Sequence, residues 1–282
     1  MTDALDAAGP NAAQAAYWND SAGPTWVELQ DKLDAQIEGV GLAAMAVLAP
    51  VPGERLVDVG CGCGATTLEL ARRVGEGGAV LGADISAPML AVAKRRAAAA
   101  GLRWTSFVEA DVQTHAFTPA DGFFSRFGVM FFADPTAAFA NLRRALKPGG
   151  RVAFLCWRSP MENPVLTAAS IAAAPLLPAP PIAPDPTAPG PFAFADKDRV
   201  AGALKGAGFG DITIEPHDGK MGWPDVDAAL TLALRVGPLG AALREHPEAH
   251  DRVVGAVRDM LESHRSPDGI LLDSATWIVL AR

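Results

Sequence analysis

The chain is poor in cysteine, in basic charge and in long apolar runs, and each shortage removes a class of protein. Only three cysteines, Cys61, Cys63 and Cys156, occur in 282 residues. Three cannot all pair, which excludes a disulfide-stapled scaffold and fits a reducing, cytoplasmic compartment. Cys61 and Cys63 resemble half of a metal site, but no second Cys or His pair is spaced to complete it, so they read as small filler in a tight turn. Lysine and arginine number 24 against 32 acidic residues, a net charge of -8, whereas a sequence-independent nucleic-acid surface needs the opposite sign. The longest apolar stretch, around Val40 to Val51, falls short of the roughly 20 residues of a membrane span, and Met1 to Ala16 has no basic segment ahead of an apolar one. Stable membrane insertion is therefore not expected, nor is a leader. No internal repeat is present. A small molecule is the expected partner, and a homodimer stays open.

What is present is an alternation of apolar runs and amphipathic stretches. Trp26, Leu29, Leu33, Ile37, Val40, Ala44 and Leu48 recur at helical spacing and stop before Pro50 and Pro52. Strands are expected at Leu56–Val59, Ala79–Ala83, Thr105–Glu109, Phe123–Phe127 and Arg151–Cys156. Helices running to Val74, from Ser86 to Ala100 and from Thr136 to Leu146 separate them. Ser86 and Asp134 stand as N-caps, and Lys147 to Gly150 turns the third helix into a strand. After a short helix at Val165–Ala174 comes a proline-rich stretch from Pro175 to Pro191, a flexible linker or a semi-rigid extended segment. A helix at Asp196–Ala207, a strand at Asp211–Glu215, helices at Val226–Val236 and Glu248–His264 and a strand at Ala275–Leu280 complete the pattern. This predicts an α/β, Rossmann-like fold: a seven-stranded, mostly parallel sheet with helices on both faces. The expected division is an N-terminal helical lid (1–53), a cofactor-binding core (54–159), a proline-rich capping insertion (160–195) and the rest of the sheet (196–282) with a helical cap at 222–268.

The most informative segment is Val57-Asp58-Val59-Gly60-Cys61-Gly62-Cys63-Gly64. Glycine at alternate positions after a strand permits positive φ and close approach of a ligand to the backbone, ahead of a helix N-terminus. Asp84 and Asp111 follow the next two expected strands, where open α/β sheets bind ligands. Asp84 suits a ribose, and Asp111 with Val112 suits an adenine amino group and ring. Gly60, Gly62 and Ala65 also satisfy the dinucleotide pattern G-x-G-x-x-G/A, so a nicotinamide cofactor is the competing reading. Asp58 within the first strand and the acid after the third weigh against it.

With Gly82-Ala83-Asp84-Ile85-Ser86, Glu109-Ala110-Asp111 and Leu146-Lys147-Pro148-Gly149-Gly150, these motifs resemble, in order and spacing, those of class I S-adenosylmethionine-dependent methyltransferases. Ser125-Arg126-Phe127-Gly128-Val129-Met130-Phe131-Phe132 and Asp185 to Asp196 resemble a broad bacterial group similar to ubiquinone and menaquinone methyltransferases. The resemblance implies S-adenosyl-L-methionine as cofactor, with Asp58, Gly60, Cys61, Gly62, Asp84, Ile85, Met89, Asp111, Val112, Arg126 and Phe127 around it. It also implies a lid from Tyr17-Trp18-Asn19 and Trp26, whose rings cover the sulfonium by cation–π attraction, with Gln30 one turn on reaching the methionine carboxylate. Arg126 either holds an anionic group or pairs with Asp134. The Pro-Pro-Tyr or Pro-Pro-Phe motif of nucleic-acid and protein amide methylating enzymes is absent, which points to a small acceptor. Trp157, Arg158 and Asn163 are expected at that acceptor, roofed by Met221 and Trp223. A sulfonium methyl needs mainly alignment, so a base contributes modestly; His115, Tyr17, Glu162 and His217 are the candidates. The expected activity is O- or C-methylation of a small aromatic or apolar metabolite by in-line displacement. The alternative is an S-adenosylmethionine-binding protein with non-methylating chemistry or a regulatory role.

Overall fold

The computed structural model describes residues 9–178 and 185–282. Met1 to Ala8, at the start of the expected lid, and Ala179 to Pro184, in the proline-rich stretch, lie outside the described residues. Helices α1 (Ala12–Asp20) and α2 (Ala22–Leu48) precede β1 (Arg55–Val59). Strand and helix then alternate through α3 (Ala65–Val74), β2 (Ala79–Asp84), α4 (Ala87–Ala99), β3 (Thr105–Glu109), β4 (Ala120–Arg126), α5 (Pro135–Ala145) and β5 (Leu146–Trp157). The remainder holds α6 (Pro164–Ala173), α7 (Lys197–Gly206), β6 (Thr213–Trp223), α8 (Val226–Arg235), α9 (Gly237–Glu245), α10 (His250–Glu262), β7 (Arg265–Ser266) and β8 (Gly269–Ala281).

The strands form one sheet in the order β3-β2-β1-β4-β5-β8-β6, with the two-residue β7 paired to β8 alone. Strands β1 to β5 pair in parallel, and β8 runs antiparallel to both neighbours. Strand order reverses between β1 and β4, and their successive loops leave in opposite directions, opening a crevice at the carboxyl edge. The parallel strands are apolar because both faces are covered: Leu56, Phe123, Phe124 and Phe154 are fully buried. Asp134 caps α5 by accepting the Ala137 N–H at 3.0 Å, with Pro135 opening the helix.

Several local expectations are corrected. Ser86 does not cap α4 with its side chain; its hydroxyl donates to the Trp18 carbonyl at 2.8 Å. Lys147 to Gly150 bulges within β5, because Ala120 pairs with Leu146 and Gly122 with Arg151. Strands β6 and β8 extend well beyond Asp211–Glu215 and Ala275–Leu280. Their weak strand sequences, such as His217-Asp218-Gly219-Lys220, are held extended by continuous pairing with each other, a tertiary effect that overrides propensity. Helix α9 was hidden behind Gly237-Pro238.

The long pairing shapes the cleft. The β5–β8 register ends at Trp157 opposite Thr276, but β6 and β8 stay paired from Asp218–Ala275 to Trp223–Ile270. This two-stranded arm overhangs the carboxyl edge. Helices α6 and α8 pack against it and α9 and α10 pack on those two, and their buried Val226, Leu230, Leu239, Val253, Val257 and Leu261 join the core of the sheet in one continuous apolar cluster. Among the described residues no single helix is long and apolar enough to cross a membrane.

Candidate cofactor and acceptor site

The glycine turn is built as its spacing demands. Gly60, Gly62 and Gly64 have φ of +66°, +54° and +85°. A Cβ on Gly60 would lie 2.8 Å from Gly128 Cα and one on Gly62 2.9 Å from Met89 Cε, so side chains are excluded by space as well as by conformation. The Cys61 thiol lies against Gly82, whose Cβ would meet it at 2.9 Å, and burial pushes Cys61 up and Cys63 to about 12. Both behave as apolar filler.

Asp58 at the end of β1 is completely buried. Its Oδ2 accepts the hydroxyls of Thr66 and Thr67 at 2.7 and 2.6 Å, while Oδ1 has no partner. Burial pushes its carboxyl up to about 6, against the two hydroxyls and the Arg126 charge, with Asp84 adding to the rise. An orphaned carboxylate oxygen beside a glycine cradle calls for a hydrogen-bond donor from outside the described residues.

Two loops expected at adenosine are present, and both are tied to α1. Asp84 accepts the N–H groups of Gly62 at 2.7 Å and Ser86 at 2.9 Å, one on each oxygen, which leaves a lone pair on each. Burial raises its carboxyl. The carboxylate of Asp111 is engaged by the amide of Asn11, at 2.8 and 2.9 Å to its two oxygens, and Asn11 Oδ1 accepts the Ala133 N–H at 2.8 Å. At the other end of α1, Asn19 donates to the Ile85 carbonyl at 2.8 Å and accepts the Ala87 N–H at 2.9 Å. Trp18 packs edge-on against Trp26 and Phe131, and both tryptophans cover Cys63, Met89 and Val92. Val112 is buried below this helix's anchor, its carbonyl bonded by Asn141.

Helix α2 supplies a residue that the sequence did not single out. Asp34 accepts Arg126 Nη2 at 2.7 Å, Arg96 Nη1 at 3.0 Å and Gln30 Nε2 at 3.0 Å. Arg126 thus pairs with Asp34 rather than Asp134, and the Gln30 amide is committed to Asp34 and Asp31 instead of a carboxylate ligand. Only the register of α2 across the edge reveals this.

Phe127, expected beside the cofactor, stacks on Trp157, expected at the acceptor, with rings 4.2 Å apart and 7° from parallel. Phe127 has φ +65°, a left-handed conformation that costs about 1–2 kcal/mol with a side chain present; stacking contributes about 0.5–1.5 kcal/mol beyond burial. The ring is therefore kept at a strained position.

Arg158 and Asn163, expected at the acceptor, and Glu162, expected as a base, make side-chain bonds within the chain, while His115 makes an aromatic contact. Arg158 pairs with Asp218 and Glu162 and lies over Trp277. Asn163 bonds its amide to Ser159 and Ala275 and pins α6 to β8. Glu162 is held by the Ser159 hydroxyl and Arg158, which lower its carboxyl. His115 packs edge-on against Phe117, whose ring lies against Phe123 in the core. His217 lies within β6, opposite Thr276 of β8, and Tyr17 is 44% exposed beside Trp18. Met221 and Trp223 are buried in the arm, Trp223 with its indole N–H unpartnered.

A reversed strand order, a glycine turn and acids on three successive strand ends form, in an α/β fold, a crevice of the kind that takes nucleoside cofactors. Residues 56–150 match the family described as Methyltransferase domain, and the chain belongs to it, among the class I S-adenosylmethionine-dependent methyltransferases. It is similar to nocamycin O-methyltransferase of Saccharothrix syringae, 32% identical over 192 residues, 64% of this chain and 67% of that protein. Aklanonic acid methyltransferase DauC of Streptomyces sp. (strain C5) is 37% identical over 118 residues, covering 41% of this chain and 53% of that one. Apart from the former, the chain spans about half the length of the curated relatives it matches. The crystal structure of YcgJ protein from Bacillus subtilis shares the fold, with TM-score 0.57 at 16% identity over 86% of this chain and 97% of that chain.

Proposed function

We propose that the protein transfers the methyl group of S-adenosylmethionine to a small aromatic or apolar metabolite, as an O- or C-methyltransferase acting by in-line displacement. The observation that carries this reading is the orphaned Asp58 oxygen beside the glycine cradle, with Asp84 and Asp111 on the adjoining strand ends. These residues fit the cofactor. The backbone of Gly60 to Gly62 lines it, Asp84 takes the ribose hydroxyls, and Asp111 with Val112 takes the adenine. Asp58 and Arg126 serve the ammonium and carboxylate of its amino-acid end, and Trp18, Trp26 and Met89 cover it. When bound, the cofactor supplies an activated methyl on a sulfonium. The chain's own task is alignment and exclusion of water, which can contribute about 7–11 kcal/mol. In this reading 1–53 is the lid, 54–159 the cofactor core, 160–195 a capping insertion and 196–282 the rest of the sheet with its cap at 222–268. Three buried free thiols support a reducing, cytoplasmic setting.

A second reading, cofactor binding with non-methylating chemistry or a regulatory role, is favoured by one observation: Glu162, a candidate base, is held by Ser159 and Arg158. Incubation with methyl-labelled S-adenosylmethionine and a cell extract separates the two. Label in a small molecule with equal S-adenosylhomocysteine supports methyl transfer; tight cofactor binding without transfer supports the second reading. Calorimetry with S-adenosylhomocysteine should show Asp84→Ala weaker by about 1.5–3 kcal/mol, the contribution of hydrogen bonds to a charged group. Unchanged affinity would mean that the ribose lies elsewhere.

A further inference from the structure

We propose that Phe127 is a specificity-determining residue: backed by Trp157, its ring is the platform on which a planar aromatic acceptor stacks. This deepens the methyltransferase reading and rests on it. Phe127 follows β4 where the strand order reverses, and only it and Ala49, the C-cap of α2, have positive φ among the described non-glycine residues. The local turn explains the backbone but not the ring. A Cβ on Gly128 would lie 2.7 Å from the Val59 carbonyl and 2.9 Å from Gly60 Cα. Ser125 Oγ donates to the Val59 carbonyl at 2.7 Å and accepts the Gly128 N–H at 3.1 Å. Those contacts hold the chain whatever side chain stands at 127, and glycine would adopt φ +65° without strain.

What the strained position obtains is a ring laid flat on Trp157, 4.2 Å away and 7° from parallel. Trp157 is 5% exposed and its backbone N–H donates to the Met130 sulfur at 3.4 Å, so it is the buried member of the pair; Phe127 is half-buried and is the member with exposed surface. A flat ring gains a full stacking partner there, whereas a puckered aliphatic ring of equal size touches it only at hydrogens. The pair adjoins the glycine turn through Gly128 and Gly60, beside the amino-acid end of the proposed cofactor. The acceptor class that fits is a hydroxylated planar aromatic.

The test compares 2,7-dihydroxynaphthalene with its saturated analogue decalin-2,7-diol, by calorimetry on the full chain with S-adenosylhomocysteine present. Wild type should prefer the flat diol by about three- to ten-fold, and Phe127→Leu and Phe127→Gly should bring the two within about two-fold of each other, chiefly by weakening the flat one. Phe127→Gly suits the backbone, so the comparison does not hinge on a variant that fails to fold. A preference kept in both variants overturns the platform, and so does a wild type that binds S-adenosylhomocysteine yet does not discriminate. A wild type that binds no S-adenosylhomocysteine brings down the reading beneath it instead.

Discussion

Among single residues, Asp58 is a fully buried carboxylate that the fold leaves half partnered. Its folded carboxyl is pushed up to about 6 from 3.8 by burial, so between those values the folded chain binds a proton that the unfolded chain has released. The associated stability is fully present below 3.8 and is lost as pH rises through about 6, a change of about 3 kcal/mol at 1.36 kcal/mol per unit. Asp58→Asn keeps an acceptor for Thr66 and Thr67 while removing the charge. It should raise urea-unfolding stability by about 1–3 kcal/mol at pH 8, with little gain at pH 4, and weaken S-adenosylhomocysteine about ten-fold or more. Equal stability of the two proteins at both pH values would reject a buried, uncompensated carboxylate. Asp58 and the glycines were legible because each obeys a local rule. Asn11, bonded to Asp111 across 100 positions, and Asp34, bonded to Arg126 across 92, were not; no local pattern distinguishes them from solvated polar residues.

At the element scale α1 is tied at both ends to the loops that follow β2 and β3, through Asn19 at Ile85 and Ala87 and through Asn11 at Asp111. It also sits tightly on α2, since a Cβ on Gly23 would lie 1.9 Å from the Trp18 carbonyl. In the proposed lid, opening over the cofactor breaks these bonds. Each is worth about 1 kcal/mol net, so Asn19→Ala should speed S-adenosylhomocysteine dissociation roughly ten-fold in stopped-flow measurements. An unchanged rate would remove α1 from the lid. The aromatic run Tyr17-Trp18-Asn19 marked the segment, but a nine-residue helix with no charged or apolar stripe to betray it did not stand out as one.

Over the whole molecule, the arm of β6 and β8 makes the cap continuous with the sheet. The buried apolar cluster runs from Leu29 and Leu33 of α2 through Val279 of β8 to Val253 of α10 without a break. Such a core melts as a unit. Urea titrations followed by far-UV circular dichroism and by tryptophan fluorescence should therefore coincide in one transition; a separate early fluorescence transition would show the cap to be an independent unit.

The sequence by itself determined the α/β alternation, the glycine turn and the acids at three strand ends, since each depends on neighbours a few residues away. Tertiary structure alone decided the extent of β6 and β8, the pairing of Arg126 with Asp34, the anchoring of α1 and the stacking of Phe127 on Trp157. Those rest on contacts between residues 30 to 100 positions apart, where hydrogen bonds and packing from a distant segment outweigh local preference.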